Sequence, residues 1–172
     1  MFGDHITVWH AFVTAFALSV AVADLKWRRI PRAFTVPALV AGLLFHVVYG
    51  GFVSALEAAA LGFVIGIILF KVGAIGGGDV KLMSALGAML GVGGWMFAME
   101  VSVFAAALIG LGQAIRARRL RQTLSNVGDT VRWIAHRGAT AHPTINVGNA
   151  SMLRAPFGVA AAVGTLAAMI KP

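Results

Sequence analysis

Charged residues in this chain are confined to short clusters that separate long charge-free apolar blocks. The blocks run Ile6–Ala23, Ala33–Leu56, Ala58–Phe70, Leu82–Met99, Val101–Ile115 and Ala155–Ile170. With 59% hydrophobic residues, 12% charged residues and a mean hydropathy of +0.88, the chain has too little polar surface for a soluble domain of its size. The expected fold is all-α: a polytopic integral membrane bundle of about six transmembrane helices. A span needs about 20 residues, so the third and last blocks must recruit flanking residues, the third reaching back past Glu57. The length of 172 residues leaves room for a single membrane-embedded domain, 1–172, with a basic cytoplasmic loop at about 116–154. Ala21-Val22-Ala23 mimics a signal-peptidase site. The first ten residues carry Asp4 and no Lys or Arg, however, so the segment reads as a retained first span.

The basic residues set the expected topology. Lys26, Arg28, Arg29 and Arg32 follow the first block, Lys71 and Lys81 bracket a glycine loop, and a run from Arg116 to Arg154 precedes the last block. Alternating crossings with the N-terminus outside would put all of these in the cytoplasm and leave Lys171 outside. Leu82–Ile115 must then cross twice, with Gly91-Val92-Gly93-Gly94 as the turn; one long tilted helix is the alternative. Between Arg116 and Arg154, the steps Leu120, Leu124, Val127, Val131 and Ile134 predict an amphipathic helix. It would lie on the anionic inner leaflet or act as a solvated linker. The sequon at Asn149-Ala150-Ser151 would face the cytoplasm and carries no weight.

Several function classes drop out. The net charge of +8 forms no basic stripe with interleaved aromatics, so a nucleic-acid partner is not expected, and the bilayer is. The absence of cysteine excludes thiolate nucleophiles, disulfides and Cys-ligated zinc. The five histidines show no H-E-x-x-H spacing, so no metal is expected. The glycine loop has no following G-K-[ST], so no phosphate cradle and no cofactor are expected.

Two aspartates stand apart from the other acids. Glu57 and Glu100 lie near the outer ends of their blocks, where carboxylates reach headgroups and water. Asp24 ends the first block and Asp79 opens the fourth, so both arrive at the same lip of the bundle. Each has a plain reading alone: Asp24 as the partner of Lys26 or Arg28, Asp79 as the N-cap of a helix starting at Val80. Together, two carboxylates in a poorly hydrated site can hold one proton between them. The ionised member takes a proton from water as it attacks a peptide carbonyl, and the protonated member polarises that carbonyl and serves the leaving amine. Asp79, at a helix N-terminus, suits the base; Asp24, at a C-terminus, suits the proton carrier.

Gly76, Gly77 and Gly78 precede Asp79 in the stretch GGGDVKL. Glycines there would take backbone angles closed to other residues and let an extended substrate strand approach, or they would form a mere flexible turn.

At this point the sequence resembles a family. Gly76-Gly77-Gly78-Asp79 matches the G-x-G-D motif of membrane aspartyl proteases, and GGGDVKL with Lys81 resembles the type IV prepilin peptidases. Asp24-Leu25-Lys26-Trp27-Arg28-Arg29-Ile30-Pro31 is similar to the segment after their first helix. Arg154-Ala155-Pro156-Phe157-Gly158 resembles the P-[FY]-G opening of their last helix. The resemblance implies an aspartic endopeptidase of the bacterial inner membrane that cleaves the basic leader of prepilins at the cytoplasmic face. It implies Asp24 and Asp79 as the catalytic pair. Gly76, Gly77, Gly78 and Lys81 would shape the site, with Pro156 and Gly158 packed near it. Without the Cys-rich domain of the bifunctional members, the chain is similar to the small peptidases of Flp (tight-adherence) pili, and methyl transfer is not expected. Prepilin is then the expected partner. The readings left beside it are a small proton-coupled transporter, which would want carboxylates near the bilayer midplane, and a non-catalytic subunit of a pilus or secretion assembly.

Overall fold

The computed structural model describes residues 2–28, 30–149, 152 and 155–170, and the regular elements among them are helices. These are α1 (Phe2–Trp27), α2 (Arg32–Tyr49), α3 (Phe52–Lys71), α4 (Gly77–Arg116), α5 (Leu120–Arg137) and α6 (Phe157–Ile170). The expectations that touch Arg29, Ala150, Ser151, Arg154 and Lys171 lie outside the described residues. His5–Trp27, Phe52–Lys71 and Gly77–Arg116 are long and apolar enough to cross a membrane, while Ala33–Tyr49 and Phe157–Ile170 are shorter apolar helices.

Backbone geometry, rather than charge, divides the second apolar block. Its expected end was at Leu56, before Glu57; α2 instead stops at Tyr49. Gly50 and Gly51 take φ of 92° and 88°, values that a residue with a Cβ adopts only under strain. α3 starts at Phe52, so it does reach back past Glu57, as the short third block required.

α4 is the element in which two crossings and one long helix were both open. Gly91 interrupts it with φ 65° and ψ 177°. The Trp95 indole Nε1 donates to the Met83 carbonyl at 3.0 Å. In a straight helix, residues twelve apart are separated by about 18 Å, beyond a side chain's reach. The chain therefore folds back at Gly91 into two arms, 77–90 and 92–116. The bend lies at the first residue of the expected turn and not at the Glu100 that bounded the apolar blocks. Glu100 sits roughly two turns beyond the bend, deeper in its arm than the sequence suggested, and is exposed. The bend deprives the Val92 N–H of its helical acceptor, and Ser54 Oγ accepts from it at 2.9 Å.

Contacts along the arms fix their directions. Gly62 and Gly66 of α3 lie against Met83 and Val80 of the first arm, and Gly42 of α2 lies against Ala88. On α1, Trp9 stacks on Phe45 at 4.0 Å and its Nε1 donates to the Met89 carbonyl at 3.3 Å. Gly164 of α6 meets Ala98 and Ser102 of the second arm. Successive arms alternate in direction. The ends of α1, α3 and the second arm therefore gather with the starts of α2, the first arm and α6. This end carries Lys26, Arg28, Lys71, Lys81 and Arg116.

Packing is tight because the seams are small: a Cβ at Gly62 would lie 2.6 Å from the Met83 carbonyl oxygen. In lipid, where apolar burial drives little association, such close backbone approach is the main source of helix affinity. Leu82, Leu86, Met89, Val13 and Val20 are fully buried, whereas Val64, Ile68, Phe104 and Leu108 are exposed on the outer faces. That distribution suits a hydrocarbon surround.

Candidate active site

Asp24 lies in the last turn of α1 with 7% of its surface exposed. Its Oδ2 accepts from the Gly158 backbone N–H at 2.7 Å. Gly158 is the second residue of α6, and a Cβ there would sit 2.8 Å from the Asp24 Cβ and 3.0 Å from Oδ2. Only glycine lets the helix start come this close. Pro156 precedes α6 and its carbonyl accepts from the Val159 and Ala160 N–H groups at 3.2 and 3.4 Å, so it begins the helical ladder that aims the Gly158 amide.

Asp79 is the third residue of α4, which starts at Gly77 rather than at the Val80 expected from sequence. Asp79 is thus not the N-cap itself. Its Oδ2 reaches back and accepts from the Gly76 N–H at 2.8 Å, the reciprocal half of a capping box. None of Gly76, Gly77 and Gly78 has a positive φ, which corrects the expectation that they adopt angles closed to other residues. Gly78 packs against Ile30, where a Cβ would lie at ordinary contact distance, 3.4 Å from the Ile30 carbonyl oxygen and Cβ. The positive φ in this turn belongs to Gly73, at 75°.

The two aspartates come from separate helices to the same end of the bundle. Phe157, next to the Gly158 that binds Asp24, lines the same cavity as Asp79. Both carboxylates are met by N-terminal helix amides, Asp24 by those of α6 and Asp79 by those of its own helix. The charge asymmetry expected from Asp24's place at a helix C-terminus is therefore offset by α6.

Asp79 stands on the wall of a cavity of 510 Å³, within the usual size range of ligand clefts. The other walls are the turn 72–75, Ala106 of the second arm, Phe157, and α5 with Gln122, Asn126 and Thr130. On the other side of the glycines, Gly77, Gly78 and Lys81 line a second cleft of 380 Å³ with Ile30, Phe63 and Phe70. Lys81 thus faces the flank of the bundle and not the Asp79 cavity.

Residues 11–111, which contain Asp24 and Asp79, match the model of the type IV leader peptidase family. The chain belongs to that family. It is 37% identical over 125 residues to the prepilin leader peptidase/N-methyltransferase of Neisseria gonorrhoeae, covering 66% of this chain and 41% of that protein. It is 36% identical over 129 residues to the protein of the same description from Pectobacterium carotovorum subsp. carotovorum, covering 68% and 44%. The chain therefore spans about two fifths of the length of these curated relatives. No solved structure matches it.

The leader-peptidase match ends before α5, the loop after it and Gly158. Of these, the resemblance already implies Gly158 beside the catalytic pair, whereas nothing in the sequence ties α5 and its loop to it. α5 was read for its apolar and basic faces. The signal it overlooked was the neutral polar row Gln122, Asn126 and Thr130, spaced at helical steps and turned to Asp79.

Proposed function

We propose that this member of the type IV leader peptidase family is a membrane aspartic endopeptidase that cleaves the leader from type IV prepilins of the Flp class. Cleavage takes place at the cytoplasmic face of the inner membrane, with the basic end of the bundle inside. The carrying observation is the pair Asp24 and Asp79, delivered from two helices to one end of the bundle, each with one oxygen fixed by a backbone amide. Fixing Oδ2 sets the direction of the other oxygen, which is what a reacting carboxylate needs.

One proton is shared by the two carboxylates. The ionised partner accepts a proton from the attacking water, the protonated partner donates to the substrate carbonyl, and the nitrogen leaves as an amine after receiving a proton in turn. No covalent enzyme intermediate forms. The roles of base and proton carrier belong to the pair, because both acids have similar helix-terminal surroundings.

A prepilin presents a polar leader followed by an apolar helix, so its scissile bond falls at the membrane boundary, the depth assigned to the two aspartates. Lys81 and the basic residues after α1 are suited to hold an early acidic residue of the mature pilin. The test is incubation of the purified protein in detergent with a prepilin-like peptide. The expected result is a single cut at the leader junction, abolished by Asp24→Asn and by Asp79→Asn. An intact peptide accompanied by ion flux in liposomes would replace the peptidase reading with the transporter.

A further inference from the structure

We infer that α5 forms the leader-side wall of the substrate site, where Gln122, Asn126 and Thr130 bind the main chain of the extended segment that precedes the scissile bond. This inference rests on the peptidase reading and deepens it.

α5 has three distinct faces. Arg121, Asp129 and Arg132 lie on one side, away from the cavity, and Arg132 pairs with Asp129 at 3.6 Å. Leu120, Leu124, Val127 and Val131 form an exposed apolar stripe. Gln122, Thr123, Asn126 and Thr130 form a third, neutral polar face, which lines the Asp79 cavity together with Val127 and Val131 of the apolar stripe and with Arg119 just before the helix.

The chemistry of the wall suits a peptide backbone. Asn126 and Gln122 carry amides that both donate and accept. The Thr123 and Thr130 hydroxyls donate to their own helix's Arg119 and Asn126 carbonyls at 3.0 and 2.8 Å, so their oxygens remain acceptors. Among the described lining residues Asp79 is the only carboxylate, so the cavity has no anionic subsite for leader lysines or arginines. Recognition is through the main chain and tolerates side-chain variation. From Gln122 to Thr130 the helix rises about 12 Å, the length of roughly four extended residues.

The opposite wall is preformed. Val147 N–H donates to the Gly73 carbonyl at 2.8 Å, tying the loop after α5 to the turn before the glycines. Asn146 braces that loop from within, its Nδ2 donating to the His142 carbonyl and its Oδ1 accepting from Gly148 N–H, both at 2.8 Å. A wall already held in place loses little freedom on binding.

Placement assigns the leader to this side. The second cleft lies along the bundle flank and is lined by Phe63, Ile67 and Phe70, surroundings fit for an apolar mature helix. The α5 cavity is closed by α5 and the loop after it, at the basic end of the bundle, and Gln122, Thr123, Asn126 and Thr130 are the neutral polar groups of a largely apolar lining. A chain that leaves the bundle flank for the basic end passes Asp79 between them.

The chain has no cysteine, which makes cross-linking clean. In an Asp79→Asn background, Asn126→Cys is mixed with prepilin-like peptides that bear one cysteine just before or just after the scissile bond, under mild oxidation. The expected product is a disulfide adduct with the leader-side peptide and little with the other, while Arg121→Cys on the charged face gives none. Preferential linkage to the mature-side peptide, or equal linkage by Arg121→Cys, would overturn the inference. With Asp79 intact, Gln122→Ala, Asn126→Ala and Thr130→Val combined raise KM about ten-fold and leave kcat within about three-fold, as loss of a few substrate hydrogen bonds requires. Wild-type cleavage with unchanged KM in the triple variant defeats the α5 wall alone. A peptide left whole by the wild type defeats the peptidase reading and the wall with it.

Discussion

Gly158 N–H and Asp24 Oδ2 meet at 2.7 Å across 134 residues of sequence, joining the end of the first helix to the start of the last. The contact both fixes a carboxylate and places it at a helix N-terminus, and it leaves no room for a side chain on the glycine. Gly158→Ala is therefore expected to push the Asp24 carboxylate aside and lower kcat at least about ten-fold, since displacements on the order of 1 Å at a reacting group have such effects. Peptide cleavage beside a thermal melt in detergent checks this; full activity in the variant would show that the contact does not position the acid.

Asp24→Asn and Asp79→Asn are each expected to remove cleavage by about 10²-fold to 10⁴-fold, the usual worth of a positioned acid or base. Wild-type kcat/KM should be bell-shaped in pH, falling when both carboxyls are protonated and again when both are ionised. A profile flat across the range in which carboxylates titrate would contradict a shared proton.

Ser54 Oγ accepts the Val92 N–H at the Gly91 bend, at the far end of the bundle from the aspartates. Ser54→Ala leaves that amide without its acceptor and should destabilise the fold by about 1–3 kcal/mol. Catalytic constants should stay near wild type. Equal melting temperatures for the two proteins would mean the bend does not depend on this bond.

Two glycine substitutions should part company. Gly62→Ala drives a methyl against the Met83 carbonyl, 2.6 Å away, and has to separate α3 from the first arm. Gly93→Ala meets nothing within 4 Å. The first is expected to lower the melting temperature by several degrees, as overpacking by about 1–3 kcal/mol does, and the second to leave it unchanged or slightly raised.

The helical class, the catalytic candidates and the bend were legible because each rests on a local signal: long charge-free blocks, acids rare enough to be counted, and a cluster of glycines. The end of α2 was misplaced because a charge was used as the boundary. Gly50 and Gly51 terminate the helix through backbone angles that apolar counting does not see. The glycines before Asp79 were noticed for the wrong reason. Their φ angles are ordinary, and a Cβ at any of them would meet its neighbours at 3.4 Å or more, so neither backbone strain nor a close approach requires glycine there.

The sequence by itself determined which segments are apolar enough to be helices in lipid, where basic residues cluster, and that Asp24 and Asp79 end up at the same end. Those properties follow from periodicity and charge order along one chain. Tertiary structure alone decided that Asp24 is received by the amide of Gly158, that Lys81 turns to the bundle flank, and that the neutral face of α5 closes over Asp79. Each of these depends on the depth and rotation at which separately encoded helices pack, and that is set by which small residues let two backbones touch.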